Sequence, residues 1–199
     1  MGKNIFYILF SFAIFFLSTS LTAREKASYK VPKQLSIEGG YRYMLPVVDH
    51  SNVLAGNSAT NGYGFLFDYG WQVSGLNGTK PAIYLTVPMG YTVMMPDNLL
   101  SKQISMLNYG WTVRHELNKN KKLIPFAGYG LLLNTLKLKG TDGGVMGHQT
   151  QFELGANLNT NSRLKYFGKI QYSYTSYPRL NDDKRMHFQF FDLRIGARF

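Results

Sequence analysis

From about residue 34 onward, apolar side chains recur at every second position, the period of a strand with two unlike faces. In QLSIEGGYRYM, Leu35, Ile37, Tyr41 and Tyr43 share one face, and Ser36, Glu38, Gly40 and Arg42 share the other. In GYGFLFDYGWQVSGL, Tyr63, Phe65, Phe67, Tyr69, Trp71 and Val73 oppose Gly64, Asp68, Gly70, Gln72 and Ser74. In AIYLTVPMGYTV, Ile83 to Val93 at odd positions oppose Tyr84, Thr86 and Thr92. In ISMLNYGWTVRHEL, Leu107, Tyr109, Trp111 and Val113 oppose Asn108, Gly110, Thr112, Arg114 and Glu116. A fifth run, LIPFAGYGLLLNTLK, is less regular, and a change of phase is expected near Pro125 or its glycines. The sixth sets Phe152, Leu154, Ala156 and Leu158 against Gln151, Glu153 and Asn157. The seventh sets Leu164, Tyr166, Ile170, Tyr172 and Tyr174 against Lys165, Lys169, Gln171 and Ser173. The eighth sets Phe191, Leu193, Ile195, Ala197 and Phe199 against Asp192, Arg194, Gly196 and Arg198.

Eight such runs predict an all-β chain. The runs are linked alternately by tight Asn-, Gly- and Lys-rich turns (LNGTK, NKNKK, TNS) and by longer segments at Leu45–Asn61, 94–101, 138–147 and 178–185. Short turns at one end and longer loops at the other describe an eight-stranded antiparallel up-and-down transmembrane β-barrel. Prolines 88 and 125 fall inside strands of a wall that has no free edge, so bulges or bends are expected there.

The charges decide which face meets which solvent. Glu38, Asp68, Glu116, Glu153 and Asp192 fall on the polar face, with Arg42, Arg114, Lys165, Lys169, Arg194 and Arg198. The apolar face carries almost no charge. A water-soluble barrel places its charges outside, whereas a lipid-facing wall requires the reverse. Eight strands leave an interior just wide enough for side chains to fill it. A plugged lumen with a structural ion-pair network is therefore expected, with a narrow polar pathway as the alternative.

The chain opens MGKNIFYILFSFAIFFLSTSLTA, a basic start, an apolar run from Ile5 to Leu17 and small residues ending at Ala23. The run is about 13 residues, short of the roughly 20 that span a bilayer, and the layout is that of a secretory signal peptide. The expected organisation is residues 1–23 signal peptide, 24–33 a periplasmic N-terminal segment and 34–199 the barrel. With no cysteine in the chain, disulfides and lipid attachment at cysteine are excluded.

The alternating strand that ends on Phe199 resembles the insertion signal of bacterial outer-membrane β-barrel proteins, in which Phe191, Leu193, Ile195, Ala197 and Phe199 would be read by the barrel-assembly machinery. With eight runs, the chain resembles the small OmpA/OmpX-type barrels in a barrel-only form. The resemblance implies an integral outer-membrane location in a Gram-negative bacterium, with both termini in the periplasm. It also implies a site to consider, since some small barrels of this kind are lipid A acyl hydrolases or acyltransferases with His and Ser near the outer leaflet. If the last hairpin closes tightly, Ser176 lies opposite His187, with His148 near Tyr174. An activated hydroxyl also needs a third group to orient its base. Asp182 and Asp183 are in the loop, and no His stands two residues from Ser176 on its strand.

Four scattered histidines offer no HxH or HxxxH spacing, so no metal site is expected, and no cofactor motif occurs. The formal net charge of +11 suggests an acidic neighbour. For an exported barrel that neighbour is expected to be outer-membrane lipid and the phosphates of lipopolysaccharide, not nucleic acid, met by Lys102, Lys137, Lys139, Arg179, Lys184 and Arg185 at the outer rim. Tyr69, Trp71, Tyr109 and Trp111 are expected to form part of an aromatic girdle at the bilayer interface, with Gly70 and Gly110 leaving interior room for Arg194 or Arg198. The polar loop Leu45–Asn61 (Asp49, His50, Asn52, Asn57, Asn61) is the expected contact for an envelope protein partner. A structural or surface-interaction role without catalysis is the leading reading.

Overall fold

The computed structural model describes residues 32–45, 53–54, 57–75, 81–117, 122–158, 164–181 and 184–199. Eight strands carry the fold: β1 (Lys33–Leu45), β2 (Asn61–Ser74), β3 (Ala82–Met95), β4 (Ile104–Glu116), β5 (Leu123–Leu138), β6 (Val145–Leu158), β7 (Lys165–Asn181) and β8 (Lys184–Arg198). Each is hydrogen-bonded to its sequence neighbours, and β1 pairs with β8, so the sheet closes into a barrel. All its ladders are antiparallel. No helix occurs among the described residues. A two-residue ladder, Val53–Leu54 on Asn57–Ser58, lies within the β1–β2 loop. The signal-peptide reading and most of that loop's polar residues (Asp49, His50, Asn52) lie outside the described residues.

Closure is fixed at the chain's end. Phe199 N–H donates to the Leu35 carbonyl at 2.8 Å, and Leu35 N–H donates back at 3.3 Å. The alternation expected from the sequence sets the facing throughout. Leu35, Ile37 and Tyr41 are exposed on the outer wall while Ser36, Glu38 and Arg42 are buried in the lumen. Ile195, at 71% exposed, and Phe199, at 57%, show how open the outer wall is.

Three expectations are corrected. First, β5 keeps one phase from Leu123 to Leu138: Ile124, Phe126, Leu132, Asn134 and Leu136 point inward. Its pattern blurs because most of its inward residues are apolar too. Second, the prolines do not mark bulges. Pro88 keeps its register opposite Asp68 on β2, and the β3–β4 ladder skips Val87 and Pro88 but resumes in the same register. Pro125 pairs with Ala156 in an unshifted ladder, beyond the last β4–β5 pair, Glu116–Phe126. A missing N–H thus costs pairing locally without adding a residue. The register shifts lie elsewhere, between Gln72 and Ser74 on β2 and between Lys184 and Met186 on β8. Third, the segment 178–185 is not a long loop, because β7 runs to Asn181 and Lys184 already pairs with it.

Candidate functional site

The lumen is layered. Its middle is ionic. Arg42 donates from Nε to Asp192 Oδ1 at 2.8 Å and from Nη2 to Oδ2 at 3.0 Å, a bidentate fork. Arg194 Nη2 reaches the same Oδ1 at 3.1 Å. Arg114 links Glu153 at 2.7 Å to Asp68 at 3.3 Å. Lys169 Nζ lies 2.8 Å from both Glu38 Oε1 and Glu153 Oε2. Arg198 pairs with Glu116 at 2.8 Å and bonds Asn157 Oδ1 at 3.0 Å. Thus Glu38, Asp68, Glu116, Glu153 and Asp192 meet Arg42, Arg114, Lys169, Arg194 and Arg198, every one of them buried. Charge is balanced within this set. Lys165, the remaining expected member, is half-buried at the start of β7 and forms no ion pair with the other described residues.

At the terminus end, rings take over. The Arg114 guanidinium stands 4.9 Å over Phe126, and the Arg198 guanidinium 5.0 Å over Phe167. A Cβ on Gly155 would stand 2.5 Å from the end of the Phe126 ring, so that glycine makes space for it. Gly40 does the same for Arg194, whose Cγ would lie 2.6 Å from a Cβ there. Gly70 and Gly110 do not serve the arginines. Their added Cβ atoms would strike neighbouring strands, at Thr86 Cγ2 (2.7 Å) and at the Leu131 carbonyl (2.3 Å).

Towards the loop end an amide and hydroxyl layer follows. Tyr177 OH donates to Asn134 Oδ1, and Asn134 Nδ2 donates to Asn108 Oδ1 and to Gln149. Above it lies an apolar layer that the sequence reading missed. Met44, Met94, Ile104, Met106, Leu136, Met186, Phe188 and Phe190 form one buried cluster with Tyr177. Arg42 joins the layers, with its guanidinium 4.8 Å from the Phe190 ring and Nη1 3.8 Å from Met106 Sδ. The lumen is therefore plugged by polar and charged groups in its middle and by an apolar cap at the loop end. The signal was present: in FQFFDL apolar residues occupy both parities, so the inward face is apolar there.

On the outer wall, the register aligns His148, Ser176 and His187 across β6, β7 and β8, with Ser176 opposite both histidines. The His187 ring stacks on Tyr174 at 5.4 Å, and its Nδ1 is buried without a hydrogen-bond partner. No hydrogen bond joins Ser176 to either imidazole among the described residues. Asp182 and Asp183 lie outside those residues. No group of three or more His, Asp or Glu side chains among the described residues is placed to hold a metal.

Tyr69, Trp71, Tyr109 and Trp111, the residues expected in a girdle, sit on outward positions. Tyr69 and Trp71 contact edge to face at 4.9 Å. Trp71 stands opposite Leu85, and Leu85 opposite Val113, one outward position from Trp111. At the loop end, Leu99 and Leu100 are fully exposed. Their turn is knitted by Asn98 Oδ1, which accepts from Leu100 N–H at 3.0 Å and Ser101 N–H at 2.9 Å. Asp97 ties it to Thr60 at 2.7 Å and 2.8 Å.

No family model matches the chain, and no curated protein matches it. Solved structures do. Neisserial surface protein A (NspA) is 13% identical over 83% of this chain and 95% of that one, with a TM-score of 0.62. The outer membrane protein OprG from Pseudomonas aeruginosa is 13% identical, covering 85% and 97%, with a TM-score of 0.47. The outer membrane enzyme PagL is 12% identical, covering 83% and 98%, with a TM-score of 0.45. Such identities speak for architecture alone: the chain has the fold of the small eight-stranded outer-membrane β-barrels.

Proposed function

We propose that the protein is an integral barrel of the bacterial outer membrane, exported by its N-terminal signal peptide. Its role on this reading is non-enzymatic, in envelope structure or surface interaction. The single observation that carries the absence of transport is the filled lumen, with a charge-balanced ionic layer beneath a buried apolar cap. The interaction role is supported by the rim, where Leu99 and Leu100 stand in the open on a hydrogen-bonded turn. With both termini in the periplasm, the loop end faces out, beside the phosphates of outer-leaflet lipid. Protease digestion of intact cells tests the placement: cleavage at the loop end alone supports it, and cleavage at the opposite turns contradicts it.

A second reading, lipid acyl chemistry at the rim, is favoured by one observation, the His148–Ser176–His187 row. Mass spectra of lipid A from an expressing strain decide between the two. An unchanged acyl pattern in wild type, His187→Ala and Ser176→Ala ends the enzymatic reading. A changed pattern that both substitutions abolish replaces the non-enzymatic one.

A further inference from the structure

Where β5 leaves the barrel wall, a cleft of about 270 Å3 is lined by Tyr91, Gln103, Ser105, Lys137, Lys139 and Gly140, with Leu138 between the lysines. Backbone pairing fixes it. Ser105 stands opposite Lys137 in the β4–β5 ladder and donates from Oγ to the Lys137 carbonyl at 3.3 Å. Lys139 N–H donates to the Gln103 carbonyl at 2.9 Å. Gly140, at φ 82°, turns the chain away, and no heavy atom beyond its chain neighbours lies within 4 Å of where its Cβ would stand, so the cleft stays open. Its lining residues include two lysines, a glutamine and a tyrosine that can donate, beside Ser105, whose hydroxyl is already donated, and no acidic residue. That donor set is complementary to an anion with several oxygens.

The cleft also has an apolar floor. Tyr91 lies opposite Leu107 on the outer wall and packs against Phe65 at 5.9 Å. Cations above and lipid-facing rings below suit a phosphate carried on an apolar body. We propose that this cleft binds the phosphate of an outer-leaflet membrane lipid. Lys137 and Lys139 donate to the phosphate oxygens, and the acyl chains lie along Tyr91 and Leu107. The proposal rests on the outer-membrane reading above and narrows its lipid partner to one place.

The test uses the full barrel in detergent micelles, with bound lipid counted by native mass spectrometry. The probes are bis-phosphorylated lipid A, its dephosphorylated form and inorganic phosphate. The expected result is retention of the phosphorylated lipid alone, weakened at least about tenfold in K137Q/K139Q and little changed in K122Q/K165Q, which removes two cations at the opposite end of the barrel. Lys137 and Lys139 are exposed, so the variants fold, which a heat-dependent shift on electrophoresis verifies. Equal losses in K137Q/K139Q and K122Q/K165Q overturn the cleft in favour of general charge attraction and leave the outer-membrane reading standing. Equal retention of the dephosphorylated lipid, or capture of inorganic phosphate alone, also overturns it. A barrel that does not insert into bilayers removes the reading beneath the proposal and the proposal with it.

Discussion

Arg114 shows what one side chain does in this lumen. Its guanidinium joins Glu153, Asp68 and the Phe126 ring. Truncating it leaves buried Asp68 without its cation and Glu153 with Lys169 alone, and breaking a buried pair typically costs about 3–5 kcal/mol. Arg114→Ala is therefore expected to lower stability by about that much in urea unfolding of the barrel in vesicles. Lys165→Ala, which removes a half-buried cation outside the ion pairs, is expected to stay within about 0.5 kcal/mol of wild type. Equal losses at both positions would contradict the network described above. Gly155 is the other sensitive point, since a side chain there meets the Phe126 ring and the Gly168 carbonyl, each at 2.5 Å. Gly155→Val is expected to cost about 1–3 kcal/mol by overpacking. The double variant with Phe126→Ala should cost less than the sum, because removing the ring relieves part of the clash.

At the scale of the strand, facing follows parity, and parity was legible in the sequence wherever the two faces differ in polarity. That is why β1, β2, β4, β6 and the lower part of β8 read correctly. Where both faces are apolar the signal fades, as in β5 and around Phe188–Phe191, and the apolar cap stayed hidden for that reason. Prolines misled because a lost donor need not shift the register. Pro88 interrupts one ladder and leaves the other intact. The juxtaposition of Ser176 with His187 was legible from hairpin closure, whereas its second partner, His148, required the β6–β7 register. Tyr69-Gly70-Trp71 and Tyr109-Gly110-Trp111 repeat one pattern because β2 and β4 run in the same direction and expose the same parity. Their tryptophans face outward, so the fluorescence of Trp71-only and Trp111-only variants is expected to be quenched by brominated lipids in vesicles. Quenching of neither would place these strands outside the bilayer.

For the whole molecule, the decisive feature is that two chemically different layers close one lumen. Deleting the cap alone leaves the ionic layer in place. Met186→Ala/Phe190→Ala is thus expected to lose stability, at about 2–5 kcal/mol for each buried side chain, without opening a pore. A fold does not by itself fix a role, so the proposed role rests on the lumen and the rim and not on the architecture. A lumen filled in this way passes no ions, which single-channel recording in planar bilayers reads out. Barrels shown to have inserted by their electrophoretic shift are expected to give no unitary current steps, both as wild type and as Arg114→Ala or Glu116→Ala. Regular steps from the wild-type barrel, altered in size by either substitution, would contradict the plug and establish a conducting pathway through its ionic layer.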